Sequence, residues 1–179
     1  VHHQWHVWRH ANAQYQLCAS YPHMLVGPMP DVLSDAGSIT NVSPMIRQTA
    51  VFRSEKRLPV LTWGNRNDKA SIWRCSQPKV GLQGNRSSAD ERFLAQIGAA
   101  PYRTCHFPRE WLWQLTGDAD LITPPQGVRL VILDLRPKTS AIANRTGGYG
   151  YENTSYYTGS SLTFCNVGNI HAVRDAYQK

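Results

Sequence analysis

The run Val128-Arg129-Leu130-Val131-Ile132-Leu133-Asp134-Leu135 constrains the fold of this chain more than any other segment. Six of its eight residues are branched aliphatics, and Pro137 closes it before a helix of useful length can form. A nearly continuous apolar run of this length reads as a strand buried on both faces. Around it the second half of the chain alternates. A helix is expected over about 89–98, the strand over 128–135, a short helix over 139–145, a second strand over 161–167, and the start of a helix from Ile170. Alternation of this kind predicts an α/β domain with a mixed sheet and flanking helices. The turns after Asp134 and Val167 fall where such sheets collect ligands.

The first half is less regular. Met24-Leu25-Val26 reads as a short strand stopped by Gly27-Pro28, and 27–49 reads as loop on the strength of Pro28, Pro30, Gly37, Asn41 and Pro44. A turn of helix near Val32-Leu33 is the only order expected there. Pro59 to Trp63 and Lys69 to Cys75 are β-rich runs on either side of Gly64-Asn65-Arg66-Asn67-Asp68, which predicts a hairpin with its turn at 64–68 and with Trp63 and Trp73 packed across it. Ser88-Ala89-Asp90-Glu91 has the form of a capping box, and Gly98 suits the end of the helix that follows. Residues 99–127 are Pro-rich and irregular apart from a short helix expected around Arg109–Leu115. They read as an insertion.

No apolar stretch approaches the length of a membrane span. The opening Val1-His2-His3-Gln4-Trp5-His6 has no Met and no apolar segment of a signal peptide, so the chain is expected to begin within a longer protein. The formal net charge of +7 favours phosphate-bearing partners, although the basic residues are dispersed. Four Asn-x-Ser/Thr triplets, at Asn41, Asn85, Asn144 and Asn153, are taken as incidental without a signal peptide. Cys18, Cys75, Cys105 and Cys165 are too far apart for a paired zinc or redox motif, and buried reduced thiols are expected.

Basic charge on an α/β scaffold invites a search for phosphate chemistry. Neither the Gly-x4-Gly-Lys-Ser/Thr loop nor a G-x-G-x-x-G turn after a strand is present. A cysteine phosphatase loop needs a thiolate with Arg six positions on, so that the intervening NH groups and the guanidinium wrap the phosphate oxygens. Six positions after the four cysteines stand Met24, Gly81, Trp111 and His171. His2, His3, His6 and His10 offer a loose metal site against the plainer reading of a frayed terminus. No metal and no cofactor are expected.

Several unusual strings then fall into order: Tyr15-Gln16-Leu17-Cys18 with Tyr21-Pro22, Phe52 through Trp63, Arg74-Cys75-Ser76-Gln77-Pro78, Ser88 through Glu91, Asp134-Leu135-Arg136-Pro137, Ala143-Asn144-Arg145 before a Gly-rich stretch, Gly150-Tyr151-Glu152-Asn153, and Asn169-Ile170-His171 with Arg174. In this order and spacing they resemble the first part of a myotubularin phosphatase domain, over nearly the whole of 1–179 except 27–49 and 99–127. The resemblance implies a protein-tyrosine-phosphatase-like fold, of which this is the N-terminal portion. It implies hydrolysis of the 3-phosphate of phosphatidylinositol 3-phosphate and 3,5-bisphosphate, with the catalytic Cys-x5-Arg loop outside this chain. It also implies a peripheral protein on endosomal membranes, with the phosphoinositide headgroup as ligand and other myotubularins as possible homo- or hetero-oligomeric partners. An inactive adaptor of the same family is the first alternative. A basic nucleic-acid-binding module using Trp and Tyr for stacking is the second, from another class, and no nucleic-acid partner is expected if the resemblance holds. Two departures stand out: Leu135 replaces an Ala, and Thr146-Gly147 stands where a Lys is common.

By the same resemblance Asn144, Asn169 and His171 are the candidate substrate-binding residues, with no catalytic residue in the chain. Each has a structural reading beside it. Asn169 sits directly before a helix as a natural N-cap, and His171 suits a supporting role. Arg74, Ser76 and Gln77 read as loop ties, Arg136 as an ion-pair partner of Asp134 or Glu152, and Cys75 and Cys165 as buried thiols.

Overall fold

The computed structural model describes residues 5–28, 43–64, 70–99 and 130–178. They form a mixed α/β arrangement containing three two-stranded sheets. Strand β1 (Trp5–Trp8) pairs antiparallel with β2 (Leu25–Pro28), β3 (Val60–Gly64) pairs antiparallel with β4 (Ser71–Arg74), and β5 (Leu130–Asp134) pairs parallel with β6 (Ser160–Phe164). The helices are α1 (Pro44–Phe52), α2 (Ser88–Ala99), α3 (Lys138–Ala143) and α4 (Ile170–Tyr177). The expected insertion from residue 100 on, the tip of the hairpin at 65–68, the turn near Val32-Leu33, and His2 and His3 lie outside the described residues.

Gly27 and Pro28 do not stop β2 but belong to it, opposite His6 and Trp5. The glycine is required there: a Cβ would lie 2.0 Å from the Trp8 ring, which covers it. Trp8, 2% exposed, meets Phe93 edge-on at 6.1 Å between ring centroids. The loop between the two strands closes around Asn12, which is fully buried. Its Nδ2 donates to the carbonyls of Cys18, Tyr21 and Pro22 at 2.9–3.0 Å, and its Oδ1 accepts from the Leu17 and Cys18 amides.

The reading of 27–49 as loop fails from Pro44 on. Pro44 occupies the first turn of α1, where its missing N–H is no loss. Ile46, Thr49 and Ala50 recur at i, i+3 and i+4 and bury one face against α2. Pro44 counts toward a loop by composition, yet its fixed φ suits the first turn of a helix. Helix α2 begins one residue earlier than expected. Ser87, not Ser88, caps it, its Oγ accepting from the Asp90 amide, while Glu91 pairs with Arg86. Gly98 lies buried within α2 instead of terminating it. Ala89, Phe93, Leu94 and Ile97 form its core face.

Strand β5 is buried on one face only. Leu130 and Ile132 pack against the core, whereas Val131 and Leu133 are each 60% exposed. Helix α2 lies against one side of β5 and, among the described residues, nothing covers the other. The hairpin is present, but a register shift between Leu61 and Trp63 sets Trp73 opposite Leu61 and Trp63 opposite Ile72. The expected tryptophan pair is therefore not a directly opposed one. Trp73 packs on the core and donates to Ser71, while Trp63 is half exposed.

Candidate functional site

Two polar networks organise the chemistry-bearing residues. The first is centred on Arg53, fully buried at the end of α1. Its Nε and Nη2 donate to the two carboxylate oxygens of Asp90 at 2.8 and 2.6 Å, and its Nη1 reaches Glu152 and the Ser76 carbonyl. Tyr157 adds its hydroxyl to Asp90 at 2.8 Å. Burial works against the Arg53 charge, but the acidic groups Cys75, Glu152 and Asp90 outweigh it and hold the guanidinium pKa well above its ordinary value. Burial, together with the Asp90 charge, drives Tyr157 far above the usual tyrosine range. Arg53 also bridges to Pro78, and Ser54 takes the Gln77 carbonyl at 3.0 Å. This is how the segments 52–58 and 74–78 come to lie side by side.

The second network lies beyond the C-terminal end of β5. Asp134 accepts from Arg136 Nε at 2.9 Å, Nη2 at 2.6 Å and the backbone amide at 3.0 Å. Arg136 Nη2 also donates to the Gly150 carbonyl, and Nη1 to Gln77 Oε1. The same Gln77 oxygen accepts from Asn144 Nδ2 at 3.2 Å. Asn144 opens a 3-10 turn, Asn144–Gly147, directly after α3. The Gly-rich stretch beyond it is pinned: the Tyr149 amide donates to the Asn144 carbonyl, and Gly150 backs onto Val80.

Asn169 occupies the N-cap of α4 and its Oδ1 accepts from the His171 and Ala172 amides, both at 3.1 Å. His171 is exposed in the first turn of that helix, and its ring makes no hydrogen bond to the described residues. No hydrogen bond among the described residues joins either of them to Asn144. All three follow the carboxyl ends of the parallel strands, but only Asn144 is built into a side-chain network. Asn169→Ala is expected to fray α4, whose residues are exposed throughout. The His171 and Ala172 amides should exchange with solvent roughly fivefold faster, for a lost cap of about 1 kcal/mol, while the melting temperature of the chain stays unchanged. Unaltered exchange at these two amides would show that the cap carries no stability.

A cleft of about 740 Å³ opens elsewhere, between the start of α2, the 151–157 segment and β6. Arg86, Lys138, Arg145, Glu152 and Phe164 help to line it, and none of Asn144, Asn169 or His171 does. Of the cysteines, Cys18 is buried, as expected, but Cys75 and Cys165 are exposed residues. β4 and β6 end before reaching them, so the strand patterns that predicted their burial do not extend that far. Although the residue is exposed, the Cys75 sulfur accepts from Arg53 Nη1 at 3.6 Å. The surrounding protein and the nearby carboxylates push its pKa up to about 11 against the lowering effect of Arg53. That shift favours the neutral thiol over the thiolate a nucleophile needs. Among the described residues no group of His, Cys, Asp and Glu could hold a metal ion. Arg53 and its partners escaped the reading of the sequence because they lie 37 and 99 residues apart. Arg53, Asp90 and Glu152 each fall in a string that carries the resemblance, but nothing in the sequence pairs them.

Comparison with known proteins bears on all of these residues at once. The chain is 35% identical to the myotubularin of Xenopus laevis over 176 residues, 98% of this chain and 24% of that protein. It is 36% identical to the myotubularin of Rattus norvegicus over 168 residues, 94% of this chain and 22% of that one. It is 33% identical to the phosphatidylinositol-3,5-bisphosphate 3-phosphatase MTMR2 of Bos taurus over 170 residues, 94% and 21% of the respective chains. The chain thus spans about a quarter of the length of these relatives. The family model of the myotubularin-like phosphatase domain matches residues 1–179, and the chain belongs to that family.

Proposed function

We propose that this chain is the N-terminal portion of a protein-tyrosine-phosphatase-like domain that hydrolyses the 3-phosphate of phosphatidylinositol 3-phosphate and 3,5-bisphosphate. The observation that carries this reading is the likeness to the bovine 3-phosphatase across 94% of the chain. The nucleophile would be a cysteine outside these residues, since none of the four here has Arg six positions on. In this reading Asn144, Asn169 and His171 serve the headgroup from the carboxyl end of the β5–β6 sheet. The positive net charge of +7 favours approach to an anionic bilayer; the further reading, a peripheral protein on endosomal membranes that assembles with other myotubularins, rests on the family resemblance alone. An inactive adaptor of the same family would be told apart by a catalytic loop whose Cys and Arg are replaced.

Phosphate release from vesicles containing phosphatidylinositol 3-phosphate tests this directly. The 179-residue chain alone is expected to release none, while the intact protein carrying it should release phosphate in a reaction indifferent to Cys75→Ser and Cys165→Ser. Release by the short chain that either substitution abolishes would overturn the assignment of the nucleophile. An intact protein that releases none would be the adaptor.

A further inference from the structure

Asn144 is an amide whose two ends ask for opposite partners: the oxygen accepts and the NH2 donates. Which end faces outward decides what it can hold, and the network around Gln77 decides that. Arg136 is fixed by three hydrogen bonds to Asp134 and one to the Gly150 carbonyl. A guanidinium only donates, so the end of Gln77 that meets Arg136 Nη1 must be its oxygen. That oxygen can in turn be approached only by a donor, so Asn144 must turn its NH2 toward Gln77. The orientation of both amides therefore follows from one cation that Asp134 and the Gly150 carbonyl hold in place. Asn144 is half-buried, and its Oδ1 is left without a hydrogen-bond partner among the described residues. A carbonyl oxygen repels a phosphate oxygen and accepts from a hydroxyl.

We propose that Gln77 is a positioning residue that, held by Arg136, sets Asn144 to accept a hydrogen bond from a ring hydroxyl of the inositol headgroup instead of donating to a phosphate. The inference rests on the reading that Asn144 faces the headgroup. It predicts that the contact senses a hydroxyl proton, so it is lost with a single ring position and is insensitive to an added phosphate elsewhere on the ring.

The test uses the intact phosphatase and water-soluble inositol 3-phosphate headgroups in which each free hydroxyl is replaced in turn by hydrogen. Asn144→Ala is expected to lower kcat/KM about five- to tenfold on the parent headgroup, and by less than twofold on one of the deoxy analogues. Gln77→Leu should lower kcat/KM by a similar factor, and that loss should vanish on the same analogue. Gln77→Glu keeps an acceptor oxygen toward both donors and should stay within twofold of the wild type, a rescue that a packing role would not produce. An Asn144→Ala loss that is equal on every deoxy analogue overturns the inference. So does a loss that grows with an added 5-phosphate, or a Gln77→Leu variant as active as the wild type while Asn144→Ala is impaired. If Asn144→Ala changes kcat/KM on no headgroup, the headgroup reading itself is wrong and the inference falls with it. Should Gln77→Leu fail to fold, the analogue series on the wild type and Asn144→Ala decides alone.

Discussion

Arg53→Met is expected to lower the unfolding free energy by about 3–5 kcal/mol, enough to leave much of the chain unfolded at 37 °C. The expectation does not rest on the ion pair being strongly stabilising in itself. Taking three charges out of water opposes folding, and their mutual attraction only offsets that when every donor and acceptor is matched. Here the match is close: four donor contacts from one guanidinium serve Asp90, Glu152 and the Ser76 carbonyl. Removing the cation leaves Asp90, fully buried, and Glu152, 6% exposed, with no neutralising partner. Arg53→Lys should recover less than half of the loss, because a single ammonium cannot reproduce the fork that holds both Asp90 oxygens. Urea unfolding of the chain followed by tryptophan fluorescence measures both variants. A loss below about 1 kcal/mol for Arg53→Met would mean that water or a shifted side chain compensates the carboxylates.

Phe93→Ala should have an effect of the same order, about 3–5 kcal/mol, by a different route. Phe93 is fully buried on α2, its ring edge-on to Trp8, within the cluster that includes Ile46, Leu58 and Ile97. Truncation to Ala removes the ring's apolar burial and opens a cavity that α1, α2 and the β1–β2 ribbon would all have to move to close. Because Trp8 also covers Gly27, the ribbon should loosen with it, and the backbone amides of 25–27 should lose protection from hydrogen exchange. Leu82→Ala, at a position 69% exposed, serves as the control and should stay within about 0.5 kcal/mol of the parent. A Phe93→Ala chain of unchanged urea midpoint would show that the core tolerates the void. Asp90 and Phe93 stand one turn apart on α2, so the Arg53 and Phe93 effects should combine non-additively.

The local features of this chain were legible wherever the deciding interaction is near in sequence. The hairpin at 60–74 follows from two β-rich runs around a turn cluster, and the parallel pair β5–β6 from strand, helix and strand in succession. The N-cap at Asn169 could be read because its acceptor serves amides two and three residues away. Helix α1 was missed although its signal was equally local. Proline density outweighed the i, i+3, i+4 spacing of Ile46, Thr49 and Ala50.

The polarity of the candidate site and the centre of the fold belong to another scale. Nothing within a few residues of Asn144 says which end of its amide faces outward. That depends on Gln77, 67 residues away, and on an arginine that Asp134 immobilises. Arg53, Asp90 and Glu152 look like ordinary surface charges in the sequence, because a charged residue is buried only where distant chain segments bring it partners. The exposed face of β5 makes the same point in reverse, since an apolar run records what a strand can bury and not what covers it. By itself the sequence determined the family, the hairpin at 60–74, the strand–helix–strand order around β5 and β6, and the Asn169 cap, all of which rest on short-range spacing. Which charges are buried, which cysteines are exposed and which way Asn144 presents itself were decided by tertiary contacts, because hydrogen-bond matching and desolvation depend on groups that only the folded chain brings together.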